Sequence, residues 1–195
     1  MRAVVTILSV ALSLVVTAQK VEYTNDSLFV NNFYVDALTS KFTIDSLLNA
    51  KGKSKASKDK DKINPITGKK AVETTLFYYD LGLFFRWYDY DTTKLSVGIK
   101  LYRDTDSKVD RQSELTEPFK GELYVAGNYI NDKRTIDQLN ELKNCSVTVS
   151  MVSLGSISSL LGGDIIYLEN IIRLSFDRKT NELKAVFIHH NFKDL

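Results

Sequence analysis

Hydrophobic and polar positions alternate through much of residues 76–101, which is typical of strands with one buried face. Polar breaks at residues 80–82 and 89–94 divide this stretch into three segments. In the last segment Leu95, Val97, Ile99 and Leu101 follow one another at two-residue steps and therefore share one face. The pattern therefore predicts a meander of three antiparallel strands.

A second copy of this order follows later in the chain. Tyr79 meets Tyr167 when the sequence is shifted by 88 residues, and three earlier blocks agree at larger shifts. Chance similarity between amphipathic segments is the alternative, but the four blocks occur in the same order, which favours a duplicated module. The matching blocks are residues 28–30 and 123–125 (shift 95), residues 34–35 and 129–130 (shift 95), residues 43–47 and 135–139 (shift 92), and residues 79–95 and 167–183 (shift 88).

A helix is predicted between the opening strands and the meander of each module. Thr43 is a suitable N-cap, and Ile44, Leu47 and Leu48 fall on one helical face. Each module then reads as strand–strand–helix–strand–strand–strand. We predict an α+β protein of two tandem ββαβββ modules, with antiparallel sheets that each carry one helix on one face. Gly82 and Asn170 occupy matching breaks, where positive φ is expected. The modules are residues 19–110 and 111–195.

Residues 1–18 have the composition of a secretory signal. Arg2 precedes an apolar run, and Ala18 provides a small residue at the expected cleavage point. The apolar run is shorter than a membrane-spanning helix requires, although an uncleaved anchor is the alternative. We expect a periplasmic or secreted protein with no stable membrane insertion after cleavage.

Charge and cysteine content exclude several classes. Lys and Arg number 26 against 24 Asp and Glu, a net charge of +2, so the excess of basic residues needed to bind nucleic acid is missing. A single cysteine, Cys145, cannot form an intramolecular disulfide, and it is expected to be an apolar filler of the core.

Enzymatic chemistry finds little support in the sequence. His189 and His190 are adjacent, so on a strand they would point to opposite faces and could not share a metal ion. We predict no catalytic residue, no metal site and no cofactor.

Two insertions differ between the modules. Residues 51–70 are rich in lysine and contain few large apolar side chains, which predicts a mobile, solvated loop that could steer an acidic partner. The corresponding residues 153–164 are uncharged before Asp164, which predicts a short helix or an apolar loop that packs on the core or offers a contact surface.

Aromatic residues crowd the first meander and mark the best candidate site. Aromatic residues and arginine are enriched at protein interfaces. Because strand alternation places Phe85 and Trp87 on one face, we expect Trp87 to lie mainly in the core. The predicted partner-binding residues are Arg86, Tyr88 and Tyr90, which we expect to be exposed, together with Lys53, Lys55 and Lys58.

The order of hairpin, Thr-Ile-Asp-x-Leu helix (residues 43–47) and Tyr-Asp-Leu-Gly-Leu meander (residues 79–83) is similar to a group of uncharacterised exported bacterial domains. More loosely, the tandem layout resembles the β-lactamase-inhibitor-protein-like and outer-membrane assembly lipoprotein-like folds. That resemblance implies protein binding through the sheet surface and loops, without catalysis. The leading hairpin and the single helix depart from the inhibitor layout, so its specific partners are not implied.

The sequence therefore predicts a non-enzymatic protein that binds another protein, as an inhibitor, an immunity-type binder or an envelope assembly subunit. The alternative is a carrier that holds a small apolar ligand between the two modules.

Overall fold

The computed structural model describes residues 19–101, 115–154, 157–167, 170–177, 180 and 182–191, so the predicted signal peptide lies outside the described residues. Strands predominate, with two short α-helices among them. The elements are β1 (Lys20–Thr24), β2 (Ser27–Val30), β3 (Phe33–Tyr34), α1 (Lys41–Leu48), β4 (Lys53–Ile63), β5 (Lys70–Tyr78), a 3-10 helix (Tyr79–Leu81), β6 (Leu83–Tyr88), β7 (Asp91–Lys100), β8 (Glu122–Val125), β9 (Asn128–Ile130), α2 (Ile136–Leu139), β10 (Ser146–Leu154), β11 (Ile157–Tyr167), β12 (Asn170–Phe176) and β13 (Leu183–Asn191).

The strands form two sheets that both draw on the two halves of the chain. The small sheet has the order β3-β2-β1-β8-β9, and the large sheet has the order β10-β11-β12-β13-β7-β6-β5-β4. All neighbours pair antiparallel except β1 and β8, which are parallel. The sequence left open whether the two modules share a sheet, and in the structure β7 and β13 join the halves in one large sheet.

One hydrophobic core contains residues of both sheets and both helices. Strand alternation builds it: Leu95, Val97 and Ile99 of β7 are each 1% exposed. The small sheet contributes Val21 and Leu28, both fully buried. Since full burial of one such side chain stabilises a protein by about 1.5–3 kcal/mol, this shared core is the main reason that the two sheets stay together.

Helix α1 begins earlier than its predicted cap. Ser40 is the N-cap, and its hydroxyl accepts a hydrogen bond from the amide of Thr43 at 3.1 Å. Thr43 therefore lies inside the helix, and its prediction as the N-cap is wrong. Ile44 and Leu48 face the core as predicted, and Asn49 ends the helix in the left-handed conformation.

The lysine-rich insertion is not simply a loop. Its first part forms β4, which pairs antiparallel with β5 from Lys53 opposite Phe77 to Lys58 opposite Val72. A strand can carry so much charge because almost all of its side chains lie in water while its backbone is hydrogen-bonded along one edge. The described residues of the second insertion likewise belong to β10 and β11, so four strands, rather than three, follow each helix.

The shift of 88 residues fails as a guide to which side chains correspond. Leu83 is fully buried, whereas Ile171 at that shift is 48% exposed. A shift one residue longer relates Leu83 to Ile172, which is fully buried, because a one-residue slip moves every side chain of a strand to the opposite face. The shift of 95 behaves differently, since it relates Leu28 to Leu123 and both are buried.

The different lengths of the β5–β6 and β11–β12 connections explain the slip. Tyr78 pairs with Leu83 before a four-residue connection, and Tyr167 pairs with Asn170 across a two-residue connection. Tyr167 therefore corresponds to the buried Tyr78, and the predicted match with Tyr79 is wrong. Gly82 has the expected positive φ of 66°, but Asn170 begins β12 and is buried.

Candidate interaction surface on the large sheet

One residue from each strand of the large sheet forms a line across the face turned away from the core. We call this line the transverse row. Successive pairs in the strand registers define it, and it runs from the exposed Lys53 on β4 to the exposed Thr148 on β10. Its members are Lys53, Phe77, Phe84, Gly98, Phe187, Arg173, Asp164 and Thr148.

Aromatic rings occupy the part of this row that lies over the centre of the sheet. The ring centroid of Phe84 lies 5.8 Å from that of Phe77 and 6.2 Å from that of Phe187. Tyr79 stacks on Phe77 at 5.3 Å. Gly98 makes room for them, since a Cβ atom there would lie 2.0 Å from the ring of Phe84. The absence of a side chain at one position thus lets the rings continue across the two halves.

Cationic side chains lie over these rings. Lys53 Nζ is 5.5 Å from the ring centroid of Tyr79, and Lys55 Nζ is 5.4 Å from that of Phe77. Arg86 lies over Phe84 at 5.1 Å. Each such contact contributes about 0.5–1 kcal/mol at an exposed site.

Arg86 also contacts two residues of the neighbouring strand β5. Its Nε atom lies 3.4 Å from Glu73 Oε1 and donates to Thr75 Oγ1 at 3.3 Å. The Arg86 side chain is 40% exposed, so solvent screens the ion pair and its stabilising effect is small. The pair therefore orients the guanidinium more than it strengthens the fold.

Tyr88 ties β4 to the body of the sheet. Its hydroxyl lies 2.8 Å from Asp59 Oδ2 and 2.9 Å from Glu73 Oε2, and its single proton is donated to one of them at a time. Burial, followed by these two carboxylates, raises the pKa of Tyr88. Lys62 lies over the ring at 4.0 Å, and Tyr90 packs at 5.7 Å. Tyr88 is half-buried, and its contacts with Asp59 and Lys62 hold the edge strand β4 in place.

The predicted site residues divide into groups. Lys53, Lys55 and Arg86 come together around the aromatic rings. Tyr88 and Tyr90 are half-buried beside them, so the prediction that they are exposed is wrong. Lys58 is exposed, but alternation along β4 places it on the opposite face from Lys55. Trp87 packs partly against the core, in agreement with the prediction for it.

Sequence reasoning missed the second half of the same face. Ile166 and Ile171 pair across β11 and β12 and are 41% and 48% exposed. Arg173 is two residues further along β12, with a side chain that is 64% exposed. Period-two alternation around the buried Ile165 and Ile172 was the signal that could have revealed them.

A second aromatic row, also missed, crosses the small sheet. Glu22 lies at its centre, between two aromatic pairs whose centroids are 6.2 and 5.5 Å apart. Lys20 pairs with Glu22 at 2.6 Å and lies 5.0 Å from the ring centroid of Tyr124. The shift of 95 residues relates the two pairs and could have predicted this row. Its members are Tyr34, Phe29, Glu22, Tyr124 and Tyr129.

A cleft of about 680 Å³ opens beside the 3-10 helix. Lys53 and Tyr79 belong both to this cleft and to the cationic–aromatic cluster of the large sheet. Asp80 and Thr116 add polar groups on its other side. The complete lining is Ala50, Lys51, Lys53, Tyr78, Tyr79, Asp80, Leu81 and Thr116. The cleft therefore places charged and hydroxyl groups among apolar ones, and it adjoins the cationic–aromatic cluster of the large sheet.

Among the described residues, no group of three or more His, Cys, Asp or Glu side chains is placed to hold a metal ion. Burial raises the pKa of the half-buried Cys145 thiol, which disfavours the reactive thiolate. No helix in the described part of the chain has the length and apolar character to cross a membrane.

The surface thus combines exposed isoleucines and cationic side chains with a line of aromatic rings, of which Phe77 is buried and Phe84 and Phe187 are half-buried. Comparison with known proteins adds no neighbour: no protein-family model, no curated protein and no solved structure matches the chain.

Proposed function

We propose that this chain binds another protein through the outer face of its large sheet, and that it has no enzymatic activity. The observation that carries the proposal is the exposure of Ile166 and Ile171 on the same face as the rings of Phe84 and Phe187. Contiguous exposed apolar surface marks interaction sites in soluble proteins.

The chemistry around this surface supports a polypeptide partner. Interfaces concentrate aromatic residues and arginine, and Arg86 and Arg173 both lie on this face. Lys53 and Lys55 extend the surface toward β4 and favour a partner that is acidic at that end. Rings bury a large area at a small entropy cost, so they would supply the affinity while the cations orient the partner.

The setting that we propose is the periplasm or the cell exterior, reached by removal of residues 1–18. Such a binder would act as an inhibitor, an immunity-type protein or an envelope assembly subunit.

We also propose that the two halves arose by duplication, as units of two strands (β2 and β3, or β8 and β9), one helix and four strands, with β1 as an additional strand of the first half. The order of the large sheet supports this, because β10 to β13 run from one edge to the centre as β4 to β7 run from the other. The carrier alternative has less support, because seven of the eight lining residues of the cleft come from the first half and three of them, Lys51, Lys53 and Asp80, are charged.

The test is co-purification from the extract of the native envelope, with two matched double variants. Ile166→Ser with Ile171→Ser alters the proposed surface. Ile63→Ser with Ile66→Ser removes isoleucines that are 56% and 81% exposed near the end of β4. We expect wild type and the second variant to retain the same polypeptide, and the first variant to lose it by about tenfold or more.

Equal retention by both double variants would exclude the outer face of the large sheet as the binding surface. Recovery of a small apolar molecule in place of a polypeptide would favour the carrier.

A further inference from the structure

The large sheet has two edge strands in the described part of the chain, β4 and β10. An edge strand presents unpaired backbone N–H and C=O groups, which can pair with a strand of another molecule. Proteins that remain monomeric protect such edges with lysine, proline, irregular pairing or a covering segment. The two edges differ sharply in this respect.

The β4 edge has two of these protections. Five of its eleven residues are lysines, and the register of its pairing with β5 shifts between Lys58 and Ile63. A strand that approached this edge would bring its backbone against several ammonium groups on flexible side chains. The β4 edge is therefore closed to strand addition.

The β10 edge has neither protection over most of its length. Its nine residues, SVTVSMVSL, include no charged residue and no proline. Pairing with β11 is regular from Ser146 to Val152 and shifts only between Val152 and Leu154. Val147 packs partly against the core, which fixes the strand, and Thr148 is exposed. Valine and threonine favour extended backbone, so this edge is ready to accept a strand.

We propose that β10 pairs antiparallel with β10 of a second copy of this chain, across a two-fold axis, so that the large sheet continues through both copies. Every copy presents the same edge, and two uncharged strands meet without repulsion. The centre of the sheet already contains such a junction, since β7 and β13 are the last strands of the two halves and pair antiparallel.

The closed β4 edge explains why assembly would stop at two copies. Pairing of β10 with β4 of another copy would be head-to-tail and would continue into a filament. The lysines of β4 oppose that contact. Pairing of β10 with β10 uses up the open edge of both copies and leaves only closed edges outside.

Sedimentation equilibrium over about a hundredfold range of protein concentration tests the proposal, with the N-terminus of the purified chain verified by mass spectrometry. Thr148→Lys with Ser150→Lys gives β10 the charge that protects β4. Ser54→Lys with Ser57→Lys adds the same charge to exposed positions of β4. We expect wild type and the β4 variant to dimerise alike, and the β10 variant to dimerise at least about tenfold more weakly.

Hydrogen exchange of wild type provides a second test that does not depend on the folding of the β10 variant. The β10 amides should exchange more slowly as the protein concentration rises, while the β4 amides should not change. A wild type that stays monomeric, equal weakening by both variants, or particles that grow beyond a dimer would each overturn the proposal.

Discussion

The hairpins β4–β5 and β10–β11 hold the same outermost position in the two halves of the large sheet, but their chemistry differs. Strand β4 contains five lysines and buries almost nothing, whereas β10 has no charge at all. Because β4 cannot draw on core burial, side-chain contacts add to its backbone pairing with β5. Tyr88 reaches Asp59 and Lys62, and the ring of Phe77 lies beneath Lys55.

This difference teaches that the aromatic cluster has two structural tasks. Its rings hold a charged edge strand on one side, and on the other side they extend toward the isoleucines of β11 and β12. The first task stabilises the fold and the second is the proposed binding. Variants of the two halves can separate these tasks, because only the first depends on β4.

The largest expected effect comes from the strand faces. Phe85→Ala should destabilise the protein by about 3–5 kcal/mol, because its ring is fully buried. Arg173→Ala, at the position 88 residues later, should change stability by less than about 0.5 kcal/mol, because that side chain lies on the exposed face. Urea unfolding measures both values.

Ile172→Ala is the matched control in the second half, since Ile172 is fully buried next to Arg173. We expect a loss of about 2–5 kcal/mol. A loss on Arg173→Ala as large as that on Ile172→Ala would show that the faces of β12 are assigned wrongly.

These positions also show what the sequence could and could not predict. Alternation is a local property, so the order of residues alone places Leu95, Val97 and Ile99 together on one face, and that face is the buried one. The relation between the halves depends on the lengths of turns. The connection in the second half is shorter by two residues. Tyr79 therefore aligns with Tyr167 in the sequence, whereas Tyr78 holds the equivalent position in its hairpin.

The lysine-rich strand was missed for a different reason. Composition favours a loop for residues 51–70, because such a segment has little apolar surface to bury. What decides its structure is the neighbouring strand β5, which offers backbone partners along its length. Sequence could predict Lys53, Lys55 and Arg86 as candidates, but only the registers place them over Tyr79, Phe77 and Phe84.

The next effect compares two buried tyrosines in equivalent positions. The Tyr78 hydroxyl donates to Asp45 Oδ1 at 2.7 Å. Tyr78→Phe should therefore destabilise the protein by about 1.5–3 kcal/mol at pH 7, the range for a hydrogen bond to a charged group. The Tyr167 hydroxyl accepts from the amide of Asn25 at 3.0 Å, so Tyr167→Phe should lose only about 0.5–1.5 kcal/mol.

The pH dependence distinguishes the same pair. Burial alone would raise the pKa of Asp45, but hydrogen bonds from Lys41, the Gly52 amide and Tyr78 outweigh it and hold that pKa below its ordinary value of 3.8. The stabilisation is thus present above pH 3.8 and is lost as the pH falls through the lower folded-state pKa. The loss on Tyr78→Phe should shrink in acid, and that on Tyr167→Phe should stay constant. Parallel pH profiles for the two variants would contradict this assignment.

The smallest effect concerns the cations on β4. Lys53→Ala combined with Lys55→Ala should destabilise the protein by about 1–2 kcal/mol, because two cation–π contacts with Tyr79 and Phe77 are lost. Lys58→Ala removes a lysine from the opposite face of the same strand and should have an effect within about 0.5 kcal/mol. Urea unfolding at low and high salt measures these changes. Salt should weaken the cation–π contacts most where the side chains are most exposed. If Lys58→Ala were as harmful as the double variant, the lysines would stabilise β4 through their charge or extended backbone alone, and the contacts with the rings of Tyr79 and Phe77 would add nothing.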